Sequence, residues 1–444
     1  MIDALSLLDD LIHKARAAGA DAADAVLFDS ASLSLAQRLG EPEKLERSES
    51  GDLGLRVLVG TRQAMVSSSD RSAAALAELV ERAVAMARVV PEDPYCGLAA
   101  AEDLAHDWPD LDLDDPAEPT AATLIEQARI GEEAARAVAG VTNSEGAEAS
   151  WGRTRVALVG SNGFSGGYGI SRRSLSVVVL AGTGTGMERD YDFSTAVYAE
   201  DLDDAAELGR RAGERAVRRL NPRKVTTRKV PVVFDPRVAR GLVGHLVGAI
   251  AGPSITRGTS FLKDKLNQPI FGPTIQIIDD PHVSRGLRSR PFDGEGVANR
   301  RRALIADGVL TTWLLDLRSA RQLGLRSTGH ASRGTASPPS PSPGNLYLEP
   351  GARTPQALIG EIQDGFYITE MMGSAVNGVT GDYSRGAAGF WIENGELAYP
   401  VSGVTVAGNL KDMFLALEPA NDLERKFGMD APTVRIEGMT VAGL

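Results

Sequence analysis

Residues 3 to 18 carry apolar side chains at helical spacing and stop at Gly19, which predicts a first helix closed by a glycine cap. AVLFDSASLSLAQR (25–38) and LGLRVLVGTRQAMVSSS (53–69) alternate or run apolar with β-branched residues and predict strands, separated by the turn-prone SESGD. A helix follows over 72–89. Between 90 and 120 the chain turns acidic and proline-bearing and reads as an extended surface excursion. A second amphipathic helix spans 121–138, and four strands are predicted between Val141 and Glu200, with Asn162-Gly163 as a hairpin turn. DLDDAAELGRRAGERAVRRL has acids at its start and arginines at its end, matching both poles of a helix, and closes this half near Leu220.

The second half is richer in strands and glycine. RKVPVVFDP reads as a strand ending at Asp235-Pro236, an N-cap followed by proline at the first helical position. Asp307-Gly308 and Asn394-Gly395 are turn pairs of the kind tight hairpins need. The fold class expected is therefore α+β in two domains. Residues 1–222 form a helix-plus-antiparallel-sheet domain, and residues 223–444 a mostly antiparallel, barrel-like β domain with inserted helices. NPRKVTTRKVP reads as a basic connection between them. SRGTASPPSPSPG (332–344) is low in complexity and reads as a mobile surface loop. SNGFSGGYG and GTGTGMERD lack lysine and the strand-loop-helix context of a phosphate cradle, so both read as hairpin turns. Met371-Met372 reads as gap-filling core.

Composition narrows the classes. At 444 residues the chain exceeds one ordinary core. With 43% apolar residues, none of its apolar runs approaches the roughly 18 residues of a membrane span. Acidic residues inside the first apolar stretch, with no positive leader before it, argue against a signal peptide. The single Cys96 cannot build a multi-thiolate site within the chain, and a reducing cytoplasm is the setting expected. A net charge of −12 argues against direct nucleic-acid binding, which calls for a basic patch.

Candidate chemistry concentrates in ARGLVGHLVGAIAGPSITRGTSF (239–261). From Pro236 to Gly252 the residues are apolar or small except Arg237, Arg240 and His245, one of five histidines, which describes a buried helix. Gly241, Gly244 and Gly248 would let a neighbouring backbone approach closely. On its own His245 reads as a core histidine with both ring nitrogens hydrogen-bonded.

ARGLVGHLVGAIAG followed by RGTSF, GVANRRRALIADGVL, STGHASRG and above all GDYSRGAAGFWIENGELAYPVSGVTVAGNL resemble the TldD/PmbA family, specifically its PmbA (TldE) branch. GADAADAV and NSEGAEASWGRTRVALVGSNGFSGGY fit as well, so the resemblance covers nearly the whole chain. The family implies two kinds of subunit alike in fold. The TldD kind is a zinc metallopeptidase with an HExxxH helix and a cysteine ligand near its C-terminus. Laid on this sequence, the motif falls on Arg240, Gly241 and His245, so only its second histidine survives, and no cysteine follows Leu410. Catalytic zinc needs three protein ligands and a base for its water. Two ligands and the base are missing here, and Arg240 would place its positive charge where a dication would otherwise bind. No catalytic residues, no metal and no cofactor are therefore expected in this chain, with zinc only in a partner.

The resemblance implies a non-catalytic, substrate-guiding subunit that pairs with a TldD-type metallopeptidase and acts on unfolded or modified peptides, as in peptide-antibiotic maturation and antitoxin degradation. The older family description, modulator of DNA gyrase, then fits an indirect effect. Purified alone, the chain is expected to be a homodimer. Candidate peptide contacts are His245, Arg257, Tyr383, Ser384 and Arg385; the strands around 373–389 and GFWIENGELAYPV are weighed against ordinary sheet core. One alternative is a stand-alone hydrolase, using Ser254, Ser260 or Ser384 near His245, or a carboxylate and histidine site from Asp279, Asp280, His282, Asp293 and Glu295. Another is a homo-oligomeric peptide-binding or chaperone-like protein.

Overall fold

The structure is a computed structural model that describes residues 2–443. Helix α1 (Ile2–Ala17) leads into strands β1 (Ala22–Arg38), β2 (Glu41–Val59) and β3 (Arg62–Ser68), then α2 (Ala73–Val89). Ser72 caps α2 by accepting from the Ala75 N–H. After the extended stretch come α3 (Ala121–Arg136), β4 (Val141–Gly160), β5 (Ser165–Ala181), β6 (Glu188–Ala196) and α4 (Ala205–Arg218). The six strands form one sheet in the order β3-β2-β1-β4-β5-β6, and every pairing is antiparallel.

Alternation along β1 explains the layering. Ala23, Ala25 and Leu27 pack under α1 and α2, while Leu33 and Leu35 on the same face pack under α3 and α4. Val26, on the opposite face, meets Phe164, Phe292, Val297 and Leu317, so the sheet lies between its helices and the C-terminal half.

Three expectations about this half are corrected. SESGD is no turn: it runs inside β2, its residues 48–52 opposite 32–28 of β1, and the chain reverses instead at Leu39-Gly40, both at positive φ. Three long strands, not four, follow Val141, because the polar run through Ser171 to Ser174 stays paired with β4 throughout and with β6 from Arg173 on. The stretch 90–120 is no mere surface excursion. Leu104, Ala105, Leu111 and Leu113 are buried in it, and the Ala105 N–H donates to the Gly296 carbonyl at 2.9 Å, so it is a seam between the two halves.

The C-terminal half opens with β7 (Arg228–Phe234), α5 (Pro236–Ile250) and α6 (Gly252–Thr256). Asp235 caps α5 and Pro236 fills its first turn. Short strands β8 (Ile277–Asp280), β9 (Arg302–Ala306), β10 (Val309–Leu310), β11 (Ala331–Ser332), β12 (Ser340–Pro341) and β13 (Asn345–Leu348) precede β14 (Asp364–Val376), β15 (Asp382–Glu393) and β16 (Glu396–Asn409). The chain ends with β17 (Leu417–Pro419), β18 (Met429–Asp430) and β19 (Val434–Ala442). Pairing runs β16-β15-β14-β7-β19, and β19 returns to β16, closing a five-stranded barrel. A second sheet, β10-β9-β8-β13-β18, shares one large core with the barrel and α5. Both expected hairpins form, at Asp307-Gly308 and Asn394-Gly395, with all four residues at positive φ.

The stretch 332–344 departs from its expected role as a free loop. β11 and β12 pair within it, and the Arg333 side chain is buried against Asp24 of β1 at 2.5 Å. Asp24 is also held by Arg56 of β2, whose Nε donates at 3.0 Å. Although burial alone would raise it, the two guanidiniums hold the Asp24 carboxyl below the usual range. A second bridge between the halves joins Asp190 of β6 to Arg237 of α5 at 2.9 Å, and Arg219 to Glu370 of β14 at 2.5 Å. Among the described residues, no helix is long and apolar enough to cross a membrane.

Candidate functional site

β14 runs parallel to β7 only through Phe366–Ile368, because β7 ends where Asp235 starts α5, its N–H donating to the Ile368 carbonyl at 3.0 Å. Beyond Ile368, β14 pairs with β15 alone, so its other edge has no strand partner as far as Val376. Irregularities between Ile368 and Glu370 and between Met372 and Ala375, with Gly373 at φ 69°, bend this edge.

Helix α5 buries Ala239, Leu242, Val243, Leu246, Ala249 and Ile250 in the core. Gly241, Gly244, His245 and Gly248 share another face, at positions i, i+3, i+4 and i+7. The expected close approach of a neighbouring backbone to the glycines is absent. No atom lies within 4 Å of where a Cβ would stand on Gly241 or Gly248, and beside Gly244 only the Met429 sulfur comes near, at 3.6 Å. The helix therefore presents an open, small-residue face with His245 in its middle.

The His245 ring meets Tyr383 of β15 edge to face, with centroids 5.7 Å apart. Its Nε2 is buried and has no hydrogen-bond partner, so the expectation of a fully satisfied core histidine is corrected. Burial first, and the charge of Arg385 second, lower its pKa, so the imidazole is neutral at neutral pH. Arg385 is held by its Nε donating to the Gly373 carbonyl at 2.8 Å. Burial pushes the Tyr383 phenol up to about 12. The arrangement offers an unpaired imidazole nitrogen, a neutral phenol and a guanidinium anchored on the bent end of β14.

Of the five candidate contacts, the structure brings together His245, Tyr383 and Arg385. Ser384 is exposed and, by strand alternation, projects from the opposite face to Tyr383. Arg257, exposed at the end of α6, stands outside the cluster. Arg240 is corrected too. Its guanidinium lies 5.6 Å from the Phe193 ring and 4.9 Å from that of Phe427, a cation–π site in which the two rings claim the side chain. The cation acting on His245 is Arg385.

The hydrolase alternatives find no assembled site. With Nε2 unpartnered, no serine hydroxyl is bonded there, and the Ser260 hydroxyl donates to the Ala249 carbonyl at 2.6 Å. The carboxylates of 279–295 do not gather with His282 into one site. Asp293 accepts from the Glu295, Val297 and Ala331 N–H groups, Glu295 accepts from that of Leu317, and His282 Nε2 lies 2.7 Å from Asn299. Asp279 instead meets His330, at 3.1 Å in a fully buried pair whose other ring nitrogen faces Thr328 at 2.8 Å. Sequence reasoning gave His330 no role; only its partners, distant along the chain, reveal the pair. Among the described residues, no group of three or more His, Cys, Asp or Glu side chains is placed to hold a metal ion. Met372 is 45% exposed beside the free edge, which corrects its reading as core, whereas Met371 packs against the core. Phe390, Trp391, Ile392 and Val401 are buried, so the two ends of GFWIENGELAYPV are core while its middle, from Glu393 to Pro400, is exposed or half-buried.

Family profiles match in three stretches: PmbA/TldA metallopeptidase domain 1 at residues 23–87, the central domain at 114–220 and the C-terminal domain at 227–443. The chain is 41% identical to the metalloprotease PmbA of Escherichia coli O157:H7 over 425 residues, 95% of this chain and 92% of that one. It is 37% identical to a PmbA homologue of Haemophilus influenzae, over 97% of this chain and 94% of that one. Among solved structures it is similar to a proposed modulator of DNA gyrase from Bacteroides thetaiotaomicron, with a TM-score of 0.90 at 28% identity, covering 99% of this chain and 98% of that one. TldE of Thermococcus kodakarensis shares the fold, with a TM-score of 0.87 at 20% identity, over 98% of this chain and all of that one. The chain belongs to the PmbA/TldD family of metallopeptidases.

Proposed function

We propose that this chain is the non-catalytic, peptide-guiding subunit of a heteromeric zinc metallopeptidase, paired in the cytoplasm with a TldD-type subunit that carries the metal. The observation that carries the reading is the donor set around His245: one buried, unpartnered imidazole nitrogen whose charged neighbour is Arg385. A catalytic zinc calls for three ligands and an acidic or basic group to handle its water. These residues do not fit that ion, and no chemical step is assigned to them.

What they fit is an extended, unfolded peptide. The unpaired edge of β14 offers main-chain donors and acceptors, the interaction by which strands are added without reading sequence. The open face of α5 leaves room beside it. The neutral His245 can accept or donate one hydrogen bond, and Arg385 can meet a carbonyl or carboxylate. Peptide-antibiotic precursors and antitoxins, both prone to unfold, are the substrate class the family reading implies.

The test is reconstitution. Cleavage of an unfolded peptide is measured with this chain, with a TldD-type subunit bearing an intact HExxxH helix and C-terminal cysteine, and with both mixed. Only the mixture is expected to cleave at a substantial rate, and His245→Ala in this chain should raise the KM of the mixture several-fold with little change in kcat. Zinc-dependent cleavage by this chain alone would overturn the proposal.

A related variant tests the lost motif. Restoring histidine and glutamate together, Arg240→His with Gly241→Glu, is expected to leave the chain inactive by itself. Position 240 faces Phe193 and Phe427, and no third ligand is supplied. Robust chelator-sensitive cleavage by that double variant would contradict the assignment.

A further inference from the structure

Where the N-terminal sheet meets the C-terminal half, a cavity of about 110 Å³ lies between them. Its sheet side is apolar: Val26 of β1 and Val156 and Leu158 of β4 stand on the face away from the helices, with Phe292 beside them. On the opposite side β11 contributes the small residues Ala331 and Ser332, and Arg290 and Arg333 bring two guanidiniums. Packing alone rarely leaves such a chamber, because a buried charge is ordinarily paired and fully hydrogen-bonded.

These two arginines are not. The Arg333 side chain is 1% exposed, and its Nη1 donates to Asp24 at 2.5 Å. Its Nε and Nη2 have no hydrogen-bond partner among the described residues. That pair of donors is the edge with which a guanidinium grips a carboxylate through two parallel bonds. Arg290 directs both Nη groups to the carbonyls of Ala331, His330 and Ser342, and its Nε is likewise buried and unpartnered. Every unmet group on these two side chains is a donor, so what the site lacks is an acceptor.

The charges point the same way. Counting outward from the cavity, Arg290 and Arg333 line it, and Arg56 joins them through Asp24. The facing carboxyls are Asp24, Asp293 and Glu295. Burial pushes Glu295 up to about 8, so it is largely protonated at neutral pH, and burial raises Asp293 as well. Even with Asp293 ionised, three guanidiniums face two carboxylates, and an anion would restore the balance.

Size and shape narrow the ligand. Benzene fills an engineered cavity of roughly 150 Å³, so this smaller space suits roughly four or five non-hydrogen atoms. A planar head with two oxygens matches the Arg333 edge, and a short aliphatic part gains from the apolar wall, as chloride and sulfate cannot.

We propose that this seam cavity binds a small carboxylate, its oxygens on the Nε and Nη2 of Arg333 beside Arg290, and its aliphatic part against Val26, Val156 and Leu158. The carboxylate comes either from a free short-chain acid or from the C-terminal end of a peptide. The site lies apart from α5 and the free edge of β14, and the proposal stands or falls independently of the peptidase reading.

The experiment is equilibrium dialysis of the tag-free full chain against radiolabelled propionate, with circular dichroism to confirm folding of each variant. Saturable binding of one equivalent per chain is expected, displaced by acetate but not by propionamide or by the same concentration of chloride. Arg333→Lys keeps a positive charge beside Asp24 but removes the two-donor edge, and should weaken binding at least tenfold. Val156→Phe fills the chamber and leaves every arginine in place, so it should abolish binding even where Arg333→Lys does not fold. Competition by acetylalanylalanine but not by its amide would assign the site to peptide ends, and competition by free short acids alone would assign it to them. No saturable binding, equal displacement by chloride or propionamide, or full binding by folded Val156→Phe would each overturn the proposal.

Discussion

Asp24→Ala is expected to destabilise the chain by about 3–5 kcal/mol, the range found when one member of a buried ionic cluster is removed. Among the described residues, Asp24 is the one carboxylate bonded to both Arg56 and Arg333, and their side chains are 3% and 1% exposed. Its removal leaves Arg333 with no ion-pair partner among the described residues and Arg56 with only Glu295, 3.8 Å away, in a buried interface. Arg333 also has its Nε and one Nη without hydrogen-bond partners, so little else can take up its charge. Because the cluster joins the N-terminal sheet to the β11–β12 hairpin, the loss should appear as a lower denaturation midpoint together with earlier proteolysis of residues 332–344. Asp24→Asn, which keeps shape but removes charge, should lose most of the same stability. A loss below about 1 kcal/mol for both would mean that water already solvates these arginines.

Glu295, in the same interface, gives the second large effect, and it depends on pH. Burial, and then the nearby Asp293, outweigh the attraction of Arg56 and push the Glu295 carboxyl up to about 8. Arg56 comes no closer than 3.8 Å to Glu295, while it is bonded directly to Asp24, which takes most of its charge. With the folded-state pKa raised, the folded state holds a proton that the unfolded chain releases near the ordinary glutamate value of 4.5. This contribution is fully present below that value, declines as pH rises and is gone above about 8. Across that window Glu295→Gln, which stays neutral and can still accept from Leu317, should gain stability relative to the wild type by a few kcal/mol. The check is the difference between the two proteins in urea denaturation at pH 5, 7 and 8.5. A difference that does not change with pH would show that Glu295 is ionised in the folded protein.

Local order was largely legible in the sequence because it is set by local chemistry. Capping residues and glycine turns fixed the helix starts and the hairpins at Asp307 and Asn394. What escaped were features decided by distant partners. SESGD has turn composition, yet seventeen paired positions between β1 and β2 carry the strand through it. SRGTASPPSPSPG looks unable to pack, but one arginine in it finds Asp24, more than 300 residues earlier. The candidate site divides in the same way. His245, Tyr383 and Arg385 could be picked from the family resemblance, whereas the orphaned Nε2, the open glycine face and the free edge of β14 follow only from how barrel and helix meet. Arg240 shows the limit of motif alignment: the position was identified, but its side chain is claimed by two rings that no local pattern announces.

The central claim is that this chain carries no metal centre of its own, and metal stoichiometry tests it most directly. Tag-free protein, purified without chelator and without added zinc, is analysed by inductively coupled plasma mass spectrometry, alone and as His245→Ala. The account predicts metal well below one equivalent per chain in both proteins, since a single imidazole beside a guanidinium cannot retain a dication through purification. About one tightly held equivalent in the wild type, lost in His245→Ala, would contradict it.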